Sequence, residues 1–319
     1  MKKQRAALPK KEKGYEQMKL ATTTYDFACL ATHEERVRHI VEAGFRHIDL
    51  NLYGDADILP FMGEDWAERA LALRRYAESL GADFVQAHSP GGNPLGSAEE
   101  QDKIVRTTCR SIEVCGLLGI PCTVVHSGYL PGVGKEEYYR LNRAFYERLL
   151  PTAERCGVMV LIENSTRANM GEKYFFFDGA DMAEFLDWIG HPLLHACWDT
   201  GHANVEGHQC ADLLALGSHL KALHINDNRG RMDEHLMPYA GSVSMDEVMD
   251  GLLRIGYQGC FTLEASSTPI RPGNWLVPKS VWPAQQRLLE PPLFLYEGLE
   301  RLLYQLGEYI LKAYDCLEP

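Results

Sequence analysis

Four short apolar segments of the chain each end in a side chain that can bind a metal ion. Their last residues are Glu163, Asp199, His224 and Glu264, at intervals of 36, 25 and 40 residues. Burying an unpaired charge is costly, so four such ends in succession suggest that these residues share one cation. Each interval has room for about one strand and one helix, and the carboxyl ends of the strands of a (β/α)8 barrel meet on one face. The spacing therefore predicts a barrel with a metal site on that face.

The same alternation of apolar, β-type runs with amphipathic stretches extends over most of the chain. Alternating strands and helices indicate a parallel sheet, and eight repeats indicate closure into a barrel. We therefore predict an α/β fold, a (β/α)8 TIM barrel, over residues 18–267. The predicted strands are 19–24, 45–50, 83–88, 122–126, 158–163, 194–199, 220–224 and 259–264. The predicted helices are 33–43, 64–80, 98–118, 135–156, 180–189, 210–216 and 244–255.

Two segments fall outside the predicted barrel. Residues 1–17 are rich in Lys and Arg and are expected to form a poorly ordered basic tail. Residues 268–319 are expected to form a proline-rich loop followed by a C-terminal extension helix over 293–314. That helix is expected to pack on the barrel or at an oligomer interface, which makes a dimer or tetramer plausible.

Composition limits the function classes that are open to the chain. The formal net charge of −12 disfavours a broad nucleic-acid footprint. The longest apolar stretches span about five residues, far fewer than the ~20 that cross a bilayer, so no membrane partner is expected. The nine cysteines include no Cys-x-x-Cys pair, and several lie in apolar patterns. They are expected to be reduced core residues of a cytoplasmic protein.

Further polar residues follow the other predicted strands. His88 and His126 end the third and fourth strands, and His202 lies three residues after Asp199. Asp233 and His235 form an Asp-x-His pair in the loop after His224. Asp49, near the end of the second strand, is expected to be structural or a neighbour of the ligands rather than catalytic.

Four motifs together give the chain a family resemblance, although each is weak alone. They are Leu161-Ile-Glu-Asn164, Trp198-Asp-Thr-Gly-His-Ala203, His224-Ile-Asn-Asp227 and Asp233-Glu-His-Leu236. With these motifs in order on the predicted strands, the chain resembles the xylose-isomerase-like TIM barrels over about residues 18–267. That superfamily includes sugar isomerases and epimerases, inosose dehydratases and endonuclease IV.

The resemblance implies a metal-dependent isomerase or epimerase of a sugar or related polyol. Glu163, Asp199, His224 and Glu264 would hold one divalent ion (Mn, Co, Mg or Zn), a choice that this ligand set leaves open. Glu163 and Glu264 would also be the catalytic acid and base, which transfer a proton through a metal-stabilised enediolate. The residues expected to contact substrate are His88, His126, His202, Arg229 and Arg231. Asp233 and His235 would be ligands of a further metal.

Three alternatives remain open at this stage. A lyase or dehydratase acting on a keto-sugar, an inosose or a C-glycoside could use the same enediolate to expel a leaving group. An endonuclease IV-like zinc phosphodiesterase would use the extra ligands, which match in type at His88, His126, His202, Asp233 and His235. The negative net charge and the loop 88–96, which lacks basic and aromatic residues after His88, argue against it. A non-catalytic sugar-binding barrel is disfavoured because all four primary ligand positions are intact.

Overall fold

The computed structural model describes residues 17–171, 174–207, 209–265 and 291–318. Within them, eight parallel strands form one sheet in the order β7-β6-β5-β4-β3-β2-β1-β8. The edge strands β7 and β8 are joined by a parallel bridge between Ile225 and Leu263, so the sheet closes into a barrel. This confirms the predicted (β/α)8 fold. The strands are β1 Lys19–Thr23, β2 His47–Asn51, β3 Asp83–His88, β4 Cys122–Val124, β5 Met159–Glu163, β6 Leu194–Asp199, β7 Leu220–His224 and β8 Cys260–Leu263.

At least one helix follows each strand: after β6 there are two helices of seven residues each, and four-residue helices lie in the loops after β2 and β5. The α-helices are α1 His33–Ala43, α2 Asp55–Ile58, α3 Trp66–Ser79, α4 Ala98–Leu118, α5 Lys135–Cys156, α6 Arg167–Met170, α7 Gly179–Ile189, α8 Thr200–Glu206, α9 Cys210–Leu216, α10 Met245–Ile255 and α11 Leu293–Ala313. Left-handed glycines such as Gly119, Gly157 and Gly256 end α4, α5 and α10, as helix C-caps commonly do. None of the helices in the described part of the chain is long and apolar enough to cross a membrane.

The C-terminal helix α11 occupies the place of the eighth barrel helix. A Cβ added at Gly307 would lie 2.5 Å from Leu20 Cδ1 of β1 and 2.9 Å from Leu263 Cδ1 of β8, so α11 packs closely on both strands. The helix predicted as an extension therefore completes the repeat begun by β8. The predicted basic tail and most of the predicted proline-rich loop lie outside the described residues.

Apolar residues pack on both sides of the strands. A large core lies between the sheet and the helices, and a small cluster inside the barrel consists of Cys122, Val124, Leu161, Cys197 and Ala222. Side chains alternate between the two faces of a strand. Glu163, Asp199 and His224 therefore point the same way as residues 161, 197 and 222, two positions earlier. The alternation that places apolar side chains inside the barrel therefore also directs the side chains of these three residues toward the barrel axis.

Candidate active site

A cavity of about 590 Å³ opens at the carboxyl ends of the strands. Its lining consists mostly of polar and aromatic side chains. They are Tyr25, Asn51, Tyr53, His88, Gly92, Asn93, Glu100, His126, Tyr129, Glu163, Ser165, Asn169, Met170, His202, Asp233, His235 and Glu264. The expected catalytic residues, Glu163 and Glu264, thus both face this space, together with five of the other residues predicted from sequence.

The four predicted metal ligands lie together at this end of the barrel. One ligand atom from each of Glu163, Asp199, His224 and Glu264 lies within 4.8 Å of all the others. His224 Nδ1 is 2.5 Å from Glu163 Oε1 and 3.5 Å from Glu264 Oε2. Three carboxylates and one imidazole form a donor set that suits a divalent ion such as Mn²⁺, Mg²⁺, Co²⁺ or Zn²⁺. The residues present therefore fit the cation that the sequence predicted.

Asp199 is held by hydrogen bonds on both carboxylate oxygens. The backbone N–H of His202 donates to Oδ1 at 2.6 Å, and Asn226 Nδ2 donates to Oδ2 at 2.7 Å. Asn164 also donates to the Asp199 carbonyl and accepts from its N–H, which ties β5 to β6. The hydrogen bond from the His202 N–H to Asp199 Oδ1 caps helix α8 and places His202 in its first turn. Burial raises the pKa of Asp199 to about 6, although the charge of His202 acts in the opposite direction.

Glu163 lies at the centre of a cluster of histidines. His126 Nε2 is 2.6 Å from Glu163 Oε2, and His88 Nε2 is 3.7 Å from the same oxygen. Burial alone would raise the pKa of Glu163, but the charge of His224 and hydrogen bonds from His126 and His224 outweigh it. The pKa is held well below its ordinary value, so Glu163 is a carboxylate at neutral pH.

A second polar cluster lies beside the four ligands. His202 Nε2 is 3.1 Å from Asp233 Oδ2, and His235 Nε2 is 3.2 Å from Asp233 Oδ1. Burial would raise the pKa of Asp233, but the charges of both histidines outweigh it and hold the pKa well below its usual range. Burial acts to lower the pKa of His235, and the charge of Asp233 raises it to about 10. The three residues therefore form a compact, internally paired unit.

Two residues predicted to contact substrate lie away from the cavity. Arg229 forms an ion pair with Glu234 at 2.6 Å, and both Arg229 and Arg231 are exposed. Neither arginine is among the described residues that line the cavity, and no lysine is among them either. The part of the lining that the structure describes thus contains four carboxylates and has no lysine or arginine.

Several residues of the site were absent from the sequence prediction. The Tyr53 ring lies 5.2 Å from the ring of His88 and 5.6 Å from that of His126, at the cavity wall. Asn164 and Asn226 form hydrogen bonds with Asp199. Each lies within two residues of the end of a predicted strand, and this position in the sequence could have identified them. Gln86 lies within the barrel, where its polar side chain interrupts an apolar strand.

The chain is similar to several known proteins. A family model described as xylose isomerase-like TIM barrel matches residues 37–290. The uncharacterized protein MJ1311 of Methanocaldococcus jannaschii is 28% identical over 191 residues, 56% of this chain and 64% of that protein. The chain thus spans less than two thirds of that relative's length. A D-psicose 3-epimerase of Enterocloster bolteae is 31% identical over 117 residues, 36% of each chain.

A solved structure extends the similarity to almost the whole barrel. The D-psicose 3-epimerase of Clostridium cellulolyticum H10, solved with D-tagatose, superposes with a TM-score of 0.71. The match covers 92% of this chain and 99% of that one, at 17% sequence identity. At this level of identity the likeness supports the barrel fold.

Proposed function

Because the chain belongs to the xylose isomerase-like TIM barrel family, we propose that it is a divalent-metal-dependent epimerase or isomerase of an uncharged sugar or polyol. The observation that carries the proposal is the convergence of Glu163, Asp199, His224 and Glu264 within 4.8 Å beside a cavity of about 590 Å³. A divalent cation held by these residues would supply Lewis-acid chemistry that makes a C–H of the bound sugar more acidic.

Glu163 and Glu264 are the residues proposed to move the proton. Both line the cavity, and they come from the ends of strands three positions apart in the barrel. They can therefore reach a bound sugar from different directions, as removal and return of a proton on opposite faces requires. The lowered pKa of Glu163 keeps it ionised, which is the form that can bind a cation.

The other lining residues are proposed to hold the sugar. His88, His126 and His202 present ring nitrogens that can exchange hydrogen bonds with hydroxyl groups. The Tyr53 ring offers an apolar face against which sugar C–H groups can pack. Asp233 fixes the His202 ring through its 3.1 Å contact.

The charge of the lining favours an uncharged substrate. Glu100, Glu163, Asp233 and Glu264 contribute carboxylates, the described lining contains no lysine or arginine, and the charges of His202 and His235 are paired with Asp233. A phosphate or carboxylate on the substrate would be repelled by this field unless a bound cation neutralised it. Arg229, which would be the obvious anion partner, is already paired with Glu234.

The names of the similar proteins support ketoses as the first substrates to test. A relative and a structural neighbour are both D-psicose 3-epimerases. We would incubate the metal-loaded protein with a panel of free ketoses in D₂O and follow products by NMR. An epimerase or isomerase incorporates deuterium at the reacting carbon, whereas a lyase yields a product that has lost water or another leaving group.

Isosteric variants test the two-carboxylate mechanism. Glu163→Gln and Glu264→Gln should abolish turnover and deuterium incorporation while leaving the fold intact. Glu154→Gln is the control, because Glu154 lies on the outer helix α5 with 62% of its side chain exposed and should retain activity. Full activity in both Glu163→Gln and Glu264→Gln would refute the mechanism.

A second candidate, a zinc phosphodiesterase, is favoured by one observation. Two further groups, His88–His126–Glu163 and His202–Asp233–His235, also place ligand atoms within 4.8 Å of one another. The acidic lining argues against a polyanionic substrate. Metal analysis of protein purified without added metal or chelator separates the two, with about one ion per chain expected for the sugar enzyme. Two to three zinc ions per chain would instead call for a test of abasic-DNA cleavage.

A further inference from the structure

A buried carboxylate lies directly behind the ligand His224. Asp49, on β2, is fully buried inside the barrel, and neither of its oxygens has a hydrogen-bond partner among the described residues. Its Oδ2 lies 3.5 Å from His224 Nε2. An ionised carboxylate without hydrogen bonds is costly to bury. A carboxyl group kept in such a place therefore calls for a reason other than stability.

The two nitrogens of His224 face different environments. Nδ1 points toward the ligand cluster, 2.5 Å from Glu163 Oε1 and 3.5 Å from Glu264 Oε2. Nε2 points into the barrel, 2.9 Å from Gln86 Nε2 and 3.5 Å from Asp49 Oδ2. Nδ1 is thus the nitrogen that a cation in this cluster would meet.

Cation binding at Nδ1 fixes the position of the ring proton. A neutral imidazole that ligates through one nitrogen carries its proton on the other, and that N–H needs an acceptor. Gln86 presents its amide nitrogen to Nε2, because its oxygen accepts from Thr262 Oγ1 at 3.2 Å. Asp49 is the neighbour of Nε2 whose side chain can accept that proton in this arrangement.

We infer that Asp49 is a positioning residue that accepts the Nε2–H of His224 and so holds Nδ1 toward the divalent cation. This inference rests on the proposed metal site. In the arrangement that the structure shows, Nε2 can accept from Gln86, and neither oxygen of Asp49 has a hydrogen-bond partner among the described residues. Asp49 is then needed in the cation-bound state and dispensable for the fold.

The inference predicts that cation affinity and stability respond differently to substitution. Asp49→Asn keeps a neutral acceptor and should weaken Mn²⁺ binding by about tenfold, the low end of the usual effect of such partners. Asp49→Val removes the acceptor and should weaken binding by up to about 100-fold. Metal-free Asp49→Val should be no less stable than the wild type, because it removes a buried carboxylate that had no hydrogen bonds.

The experiment measures Mn²⁺ dissociation constants and urea unfolding on the full, metal-free chain. Asp212→Asn is the control, since Asp212 is a buried aspartate on the outer helix α9 and its substitution should not change Mn²⁺ affinity. The inference is supported if Mn²⁺ affinity decreases from the wild type to Asp49→Asn to Asp49→Val while the stability of the metal-free protein is retained. If Asp49→Val fails to fold, the Mn²⁺ affinity of the nearly isosteric Asp49→Asn variant still tests the inference.

Two results would overturn the inference. One is unchanged Mn²⁺ affinity in Asp49→Asn and Asp49→Val while the wild type binds the ion. The other is a loss of affinity that parallels a loss of metal-free stability, since that would make Asp49 merely structural. A wild type that binds no divalent ion would refute the proposed function as well, so the two failures are distinguishable.

Discussion

Glu300 links the docking of the C-terminal helix to pH. It lies on α11 with a side chain that is 1% exposed, and its Oε1 has no hydrogen-bond partner among the described residues. Burial has the largest effect on the pKa of Glu300 and raises it, and the charge of Asp26 raises it further. A hydrogen bond from Thr22 acts in the opposite direction, but the pKa stays well above its usual value. Glu300 is therefore protonated in the folded protein at pH values where the unfolded chain has already ionised it.

The magnitude of the effect follows from proton linkage. The unfolded-state pKa of a glutamate is about 4.3. Between that pH and the raised folded-state pKa, the folded protein holds one more proton than the unfolded chain at this site. The free energy of unfolding therefore falls with rising pH by about 1.4 kcal/mol per pH unit from this group. Glu300→Gln cannot ionise, so its stability relative to the wild type should grow with pH at that rate.

Urea unfolding from about pH 4.5 to about pH 8 tests this expectation. Other buried groups, such as Asp199, titrate in both proteins and cancel in the difference. Glu308→Gln is the control, since Glu308 lies on the same helix with 32% of its side chain exposed and pairs with Lys312. Its stability difference from the wild type should stay nearly constant over this range. A constant difference for Glu300→Gln as well, or one that shrinks as pH rises, would refute the reasoning.

Three further predictions concern packing, substrate and metal. Gly307→Leu should lower the free energy of unfolding by about 1–3 kcal/mol, because α11 packs closely on β1 and β8 at this position. Gly298→Leu should raise it by about 0.5–1 kcal/mol, because an added Cβ there has nothing within 4 Å. Both are read by urea unfolding, and equal effects would contradict the packing of α11. Tyr53→Ala should raise KM for the substrate roughly two- to tenfold with little change in kcat, and an unchanged KM would place the ring outside the binding site. A divalent ion at 100 times its Kd should stabilise the wild type by about 2.7 kcal/mol and Glu163→Gln by much less, and equal stabilisation of both would place the ion elsewhere.

The strands, and the convergence of the four candidate ligand residues, were predictable from local patterns. Each strand is a short β-type run between helices, and glycines such as Gly119 and Gly157 mark where helices end with a positive φ. The period of two along a strand then places Glu163, Asp199 and His224 on the inner face. These features depend on a few neighbouring residues, so a single sequence carries them.

The rest of the site depends on contacts between distant segments. Arg229 looked available for substrate, but the loop folds so that Glu234 meets it, and no periodic pattern encodes that pairing. The loop itself is anchored by Asp227, which accepts backbone hydrogen bonds from Gly241 and Val243. Likewise, periodicity predicts the helix α11 without saying that it covers β1 and β8.

The seam between β7 and β8 joins the assembly of the site to the closure of the barrel. Ile225 N–H donates to the Thr262 carbonyl at 2.8 Å, and Glu264 N–H donates to the Ile225 carbonyl at 3.0 Å. The backbone of Glu264 thus fastens the last strand to the seventh while its side chain joins His224 in the ligand cluster. The four predicted ligand residues therefore come together only when β7 and β8 are joined and the barrel is closed. Under the proposed function, a folding intermediate that lacks this seam would also lack the assembled cluster, so cation binding would follow closure of the barrel.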